Sequence, residues 1–421
     1  MREVALERRS GAAIVLAAAL AAVLTGMLVS RSPVLAVLVV GVVGMSVAAA
    51  RFGAAGVAVP AFAALPWLVI LEGVAPGQLG TLTAAVAAGA LLYLVFPLSF
   101  ESPLVPLAAG IFVTISLAHA IFATDSEQLI QAAKYTTFAA MALAVTSSRG
   151  RELLPSFRLP MLASCAAAMS FHLGVIAAGY GAANTYYGAG ERLGFAAAGP
   201  HALALMSMIV AAAGLTLLRP QLKAGLFALG AVATALSGVR SALFGLAVAL
   251  LIFFLQSRNK GRALMVLGAI AIVAVATGAL DVLTARFAEH PNEFSSFATA
   301  GSGRGAIWSV ALNAWDSAGP WAWLFGTGLR SIVGFELASL GHALIGHSDI
   351  VEVLVQLGVV GFAAWLCLWV GLLRANLRSL VLLPIVAFGV VNGSLEYVAP
   401  LTAGLFLAGA CSEPSPQEGV S

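Results

Sequence analysis

Charged side chains are scarce in this chain. Asp, Glu, Lys and Arg supply 9% of its 421 residues while hydrophobic side chains supply 61%, a balance that excludes an ordinary soluble globular protein. Cysteine is nearly absent. Cys165 and Cys367 lie within apolar segments and Cys411 at the end of one, with no CxxC pair and no His/Cys cluster, so no disulfide framework, zinc site or redox role is expected. The chain also lacks a P-loop, a nucleotide fingerprint and paired metal-binding carboxylates, and its net charge of +3 gives no footing for nucleic acid. Long polar stretches are missing too, with one exception at 281–349. No separate soluble domain fits between the apolar runs.

What is present is a succession of such runs. They fall near 11–29, 33–50, 54–72, 80–97, 103–123, 128–146, 160–179, 200–218, 224–238, 241–255, 263–280, 350–373, 379–391 and 399–411, and a spanning helix needs about 20 mostly apolar residues. The pattern predicts an all-α, polytopic membrane bundle of about 14 helices. The first run follows a charged start, Met1 to Ser10, but is long for a secretory signal core and reads better as a first span. Between Gly225 and Phe254 the chain is apolar except near Ser237, Arg240 and Ser241, too long for one crossing, so it must turn back at Ser237-Gly238-Val239-Arg240.

Cations test the count, because cytoplasmic loops carry the Lys/Arg excess. With the N-terminus inside and each run crossing once, the inside receives Arg2, Arg8, Arg9, Arg51, Arg149, Arg151, Arg158, Arg219, Lys223, Arg258, Lys260, Arg262, Arg374 and Arg378. The outside receives only Arg31, Arg192, Arg240, Arg286, Arg304 and Arg330, and Lys134 falls within a span. The expected organisation is a bundle over 1–280, a large periplasmic loop over 281–349, C-terminal spans over 350–411 and a cytoplasmic tail over 412–421, in the bacterial inner membrane with both termini cytoplasmic.

Arg192, Arg240 and Arg304 each stand beside glycine on an outer segment. Guanidinium grips phosphate oxygens bidentately and glycine lets the backbone come close, so the functional reading is a diphosphate cradle; the alternative is a set of lipid-headgroup anchors or ion pairs. His347, just before the run that begins near Ile350, is placed to take a proton from a sugar hydroxyl or to orient it. Asp349 and Glu352 read as helix-capping groups. Trp308 and Trp315, seven apart on an expected helix from Arg304 to Trp315, would stack on sugar or mark the membrane interface, as Trp321 and Trp323 would. Gly326-Thr327-Gly328 before Arg330 forms a turn whose amides suit an anion.

These pieces carry a resemblance. Arg304-Gly305-Ala306-Ile307-Trp308, Leu324-Phe325-Gly326-Thr327-Gly328 and the stretch from His347 through Gly358 to Gly361 resemble the signature region of the O-antigen ligase/polymerase superfamily of bacterial membrane glycosyltransferases. Arg192-Leu193-Gly194 with Gly199-Pro200-His201, and Ser237-Gly238-Val239-Arg240-Ser241, are similar to two further motifs, so the likeness runs mainly over 190–361. Family members usually carry Asn where Ser348 and His201 stand.

The resemblance implies an enzyme that moves a glycan from undecaprenyl diphosphate to an acceptor hydroxyl with no metal, nucleotide or other cofactor. Arg240 and Arg304 would bind the diphosphate with Arg192 in support, His347 would act on the acceptor, and Trp308, Trp315 and Arg330 would make sugar or loop contacts. The acceptor would be a growing glycan in O-antigen or exopolysaccharide polymerisation; a ligase to lipid A core or a protein O-oligosaccharyltransferase would use the same motifs. Membrane lipid and other polysaccharide-assembly proteins are the further partners expected. A different class, a lipid-linked glycan flippase or transporter, is disfavoured because His119, Lys134 and His172 are the main ionisable groups of the membrane core and no carboxylate is expected mid-span.

Overall fold

The computed structural model describes residues 53–70, 78–186, 189–195, 200–217, 219–257, 259–261, 300–340, 348–376 and 379–411, with isolated positions at 264 and 268. The apolar runs near 11–29, 33–50 and 263–280, the tail 412–421, and His347 lie outside the described residues.

Helices occupy the other apolar runs. They are α1 (Ala55–Ile70), α2 (Gln78–Leu94), α3 (Leu104–Ile121), α4 (Ser126–Thr146), a short α5 (Ser148–Leu153), α6 (Arg158–Val175), α7 (Pro200–Gly214), α8 (Pro220–Ser237) and α9 (Arg240–Gln256). The stretch expected as a loop is largely helical where it is described, as α10 (Ala300–Ser317), α11 (Pro320–Phe325) and α12 (Ser331–Leu340). Then follow α13 (Asp349–Ala375), α14 (Leu382–Asn392) and α15 (Val398–Ala410). Among the described residues three stretches, Leu104–Ile121, Ser148–Ala178 and Asp349–Ala375, are long and apolar enough to cross a membrane.

One segment departs from the all-α expectation. β1 (Gly181–Tyr186) and β2 (Ala189–Phe195) pair antiparallel, with Arg192 opposite Asn184. Glycine, alanine and tyrosine dominate this stretch, which has neither an apolar helical stripe nor a run long enough to span, so the backbone satisfies its amides across a hairpin instead.

Helices α7 and α15 form the centre. Every residue from Ala202 to Gly214 and from Val398 to Ala410 is buried, as expected of helices that are apolar all round. Helix α8 folds back on α7 in close contact: a Cβ at Gly230 would collide with the backbone of Ala211 and Ser207, and one at Gly214 with Phe227. The turn predicted between α8 and α9 is there. Gly238 takes the left-handed conformation at φ 63°, which ends α8 without Cβ strain, and α9 starts two residues later.

The segregation of the cations follows from this winding. Arg149, Arg151, Arg158, Lys223 and Lys260 lie at one end, where Arg158 donates to the carbonyl and hydroxyl of Thr216, each at 2.9 Å, and Lys260 to the carbonyls of Phe254 and Leu255 at the C-terminus of α9. Arg240, Arg304 and Arg330 lie at the other.

Candidate functional site

Helix register brings the second end together. Gly214 meets Phe227 and Gly230 meets Ala211, and beyond the turn Gly245 of α9 lies against Met208 of α7; five residues back along that parallel pair, Arg240 stands within a helical turn of the level of His201. Further along α7, Ile209 reaches Gly404 of α15, as does Ile385 of α14, and Asn392 at the end of α14 lies 3.0 Å from His201. The first residue of α9, the last of α14 and the start of α7 thus share one level. Arg240 is half-buried there. A cation at a helix N-terminus gains nothing from the helix dipole, so the guanidinium and the first amides of α9 both favour an anion.

Arg304 reaches the same level from α10. Its Nη1 donates to the carbonyl of Val391 and its Nη2 to Oδ1 of Asn392, both at 2.8 Å. The charge sits at the C-terminus of α14, where the dipole welcomes it. A guanidinium only donates, so the Asn392 oxygen must face it and the amide nitrogen must face His201; Nδ1 of His201 is then an acceptor and its proton lies on Nε2. The His201 ring also stacks on Tyr397, with centroids 6.0 Å apart. His201 entered the sequence reading only as a departure from the family pattern, and the structure gives it this link to Arg304. The signal for Asn392 was a lone amide in an otherwise apolar run, Phe388 to Asn392.

The start of α13 does not cap as its sequence suggests. Ser348 holds the N-cap position, but its side chain makes no capping bond and donates instead to the carbonyl of Val390 at 2.9 Å. Asp349 accepts from the Ser394 hydroxyl at 2.5 Å and the Leu395 amide at 2.9 Å. It therefore holds the turn between α14 and α15. That tertiary demand on a buried carboxylate outweighs a local cap. The same turn carries Glu396, whose carboxylate lies 2.9 Å from Nζ of Lys134, both side chains 10% exposed. Carboxylates are thus drawn out of water at this end, Asp349 and Glu352 buried and Glu396 nearly so.

Gly326-Thr327-Gly328 is a turn, but its amides are taken. Helix α13 kinks at Gly358, which has φ 68° and ψ −174°, and the kink takes the carbonyls of Val355 and Gln356 out of the helical ladder. Thr327 N donates to Val355 O at 2.9 Å and Gly328 N to Gln356 O at 3.3 Å, so the turn satisfies the kink. A Cβ at Gly326 would collide with Gln356, and one at Gly358 with Leu324. Arg330, at φ 57°, pairs with Glu127 at 3.1 Å and turns its amide to Oε1 of Gln356 at 3.1 Å.

Trp308 and Trp315 pack against a small cluster of Ala311, Ile332, Val351 and Val355, with Trp315 Nε1 donating to Ala322 O at 2.9 Å. Trp321 is 77% exposed. Of the expected site residues, then, the structure gathers Arg240 and Arg304 at one level and puts Arg192 in a hairpin. It ties Arg330 to α4 and α13, and sets Trp308 and Trp315 on the face of α10 that packs against α12 and α13.

Residues 225–366 match the protein family described as O-antigen ligase. No curated protein matches the chain. The matched stretch runs from the first turns of α8 past the kink in α13, contains Arg240, Arg304 and Arg330, and leaves Arg192 and His201 upstream. Over that stretch it bears out the likeness to the O-antigen ligase/polymerase superfamily carried by the motifs.

Proposed function

We propose that this protein is a glycosyltransferase of the bacterial inner membrane that moves a glycan from undecaprenyl diphosphate to an acceptor hydroxyl at the periplasmic face, in O-antigen or exopolysaccharide polymerisation. The observation that supports the reading is that Arg240 and Arg304 lie at the same end of the bundle, beside the start of α13 that His347 precedes in the chain. The glycan's anomeric carbon breaks its bond to the diphosphate and forms one to the acceptor oxygen. Arg240 and Arg304 stabilise the departing diphosphate, with Arg192 assisting, and His347 takes the acceptor's proton. The donor carries its own leaving group, so neither nucleotide nor metal is called for. The opposite end, rich in Arg149, Arg151, Arg158, Lys223 and Lys260, faces the cytoplasm by the positive-inside bias.

Purified full-length protein in nanodiscs, given the host's undecaprenyl-diphosphate-linked glycan with EDTA and no nucleotide, is expected to release undecaprenyl diphosphate and form a longer glycan. A strict need for a divalent ion, or movement of the donor across the bilayer with no transfer, would sink the reading. A ligase to lipid A core and a protein O-oligosaccharyltransferase share the chemistry, and the acceptor consumed in this assay separates them.

A further inference from the structure

We propose that the cleft between α4, α13 and the 393–397 turn is a subsite that receives one hydroxyl of the acceptor's sugar ring, an inference that rests on the transferase reading and names the part of the site that would recognise the acceptor. The cleft is lined by Gln131, Arg330, Ile332, Val333, Glu352, Gln356 and Glu396. Its enclosed space is about 20 Å³, and with its open mouth it measures about 260 Å³. The enclosed part holds a single water or a single hydroxyl, and the mouth is where a ring would rest.

The lining selects the chemistry. Gln131 is 1% exposed, and although its side chain interacts with the Tyr135 hydroxyl, its Nε2 has no partner in hydrogen-bond geometry, an under-satisfied donor of the kind native structures rarely leave. Gln356 is fixed in place, because its Oε1 accepts from the Tyr135 hydroxyl at 3.2 Å and from the Arg330 amide at 3.1 Å. An anion entering here would meet Glu352 and Glu396. A cation would meet Arg330, with Lys134 behind Glu396. A neutral hydroxyl does what neither ion can, accepting from Gln131 and donating to a carboxylate at the same time. Ile332 and Val333 offer the apolar wall that the C–H face of a sugar needs. Glu352 lies one turn into α13, so the cleft opens beside the helix start that His347 precedes.

The test uses full-length protein in deuterated-lipid nanodiscs, with empty nanodiscs as the control and methyl glycosides of common hexoses and N-acetylhexosamines as probes. Saturating the protein methyl signals is expected to transfer magnetisation to the ring protons of at least one glycoside. Gln131→Leu, which keeps the size and removes the donor, is expected to weaken that binding about tenfold or more. Val333→Trp at the mouth is expected to do the same, and it stands in if Gln131→Leu does not fold. Transfer to none of the glycosides, or equal transfer in wild type and a folded variant, overturns the subsite. The lipid-linked donor assay on the same preparations separates the two claims: sugar binding lost in the variants without any glycan transfer by wild type sinks the transferase reading, whereas transfer with variant-insensitive binding sinks the subsite.

Discussion

The two ends of the bundle handle charge differently. At the Arg158 end the cations lie along the rim and meet what is nearest, a helix-terminal carbonyl or an exposed acid such as Glu101, which is 75% exposed beside Arg151. At the Arg304 end four described charges are held by tertiary partners: Lys134 by Glu396, Arg304 by Asn392, Arg330 by Glu127, and the carboxylate of Asp349 by Ser394 and Leu395. Rim pairs are worth little because water competes for both partners. Buried charges are expensive to bring in and expensive to strand. A chain that places several of them at one end has given that end a fixed geometry, which a site for a charged lipid requires and a loop-orienting rim does not.

The comparison breaks first if Lys134 proves dispensable. Lys134→Ala strands Glu396 in a nearly dry position and is expected to cost about 3–5 kcal/mol of stability, read as a loss of folded protein on heating in detergent. Next in size is Arg240→Ala, expected to leave abundance unchanged and to lower glycan transfer about 10²- to 10³-fold. Arg240→Lys should recover only part of that, because a point charge lacks the bidentate fork. Full transfer by Arg240→Ala would detach this arginine from the diphosphate. His347→Ala should bind donor normally and lose about 10²-fold or more in turnover, and near wild-type turnover in the same preparation would leave His347 without a catalytic part.

Asn392→Leu sharpens the contrast at smaller scale. It removes the side-chain acceptor of Arg304, whose bond to the Val391 carbonyl remains, together with the donor to His201, and an expected cost of about 1–3 kcal/mol follows from leaving both without that partner. A double-mutant cycle with His201→Phe should show coupling, since the two substitutions remove one shared bond. Additive effects would mean that the Arg304–Asn392–His201 chain does not act as a unit.

How much of this was legible in the sequence divides along the same line. The helices could be read because an apolar run is a local signal, and so could the Ser237–Arg240 turn, where one polar break interrupts a run too long to cross once. The helix through Arg304 and Trp315 was visible in its spacing. The hairpin at 181–195 was not, because its sequence carries no strand alternation. The pairing of Lys134 with Glu396 joins residues that no local pattern connects, and Asp349 misread as a cap because the local motif is satisfied in sequence while the fold spends the carboxylate on the 393–397 turn. The glycines of 326–328 looked like an anion nest because sequence cannot show that Gly358 kinks the facing helix and claims their amides.

The smallest expected effect is at the Arg158 end, and it tests what that end is for. Arg151 and Glu101 form an ion pair that water reaches freely, so Arg151→Ala should change stability by no more than about 1 kcal/mol and leave transfer untouched. If these cations hold nothing, their use is to fix which way the chain lies in the membrane. Orientation can be read directly by replacing the exposed Ser156 beside Arg158, or the exposed Trp321 at the opposite end, with cysteine in a chain whose Cys165, Cys367 and Cys411 have been changed to serine. In intact spheroplasts a membrane-impermeant maleimide should label the Trp321→Cys protein and spare the Ser156→Cys protein until the membrane is opened. The reverse pattern would turn the bundle over, put Arg240 and Arg304 on the cytoplasmic side and remove the periplasmic site along with the orienting role assigned to the rim.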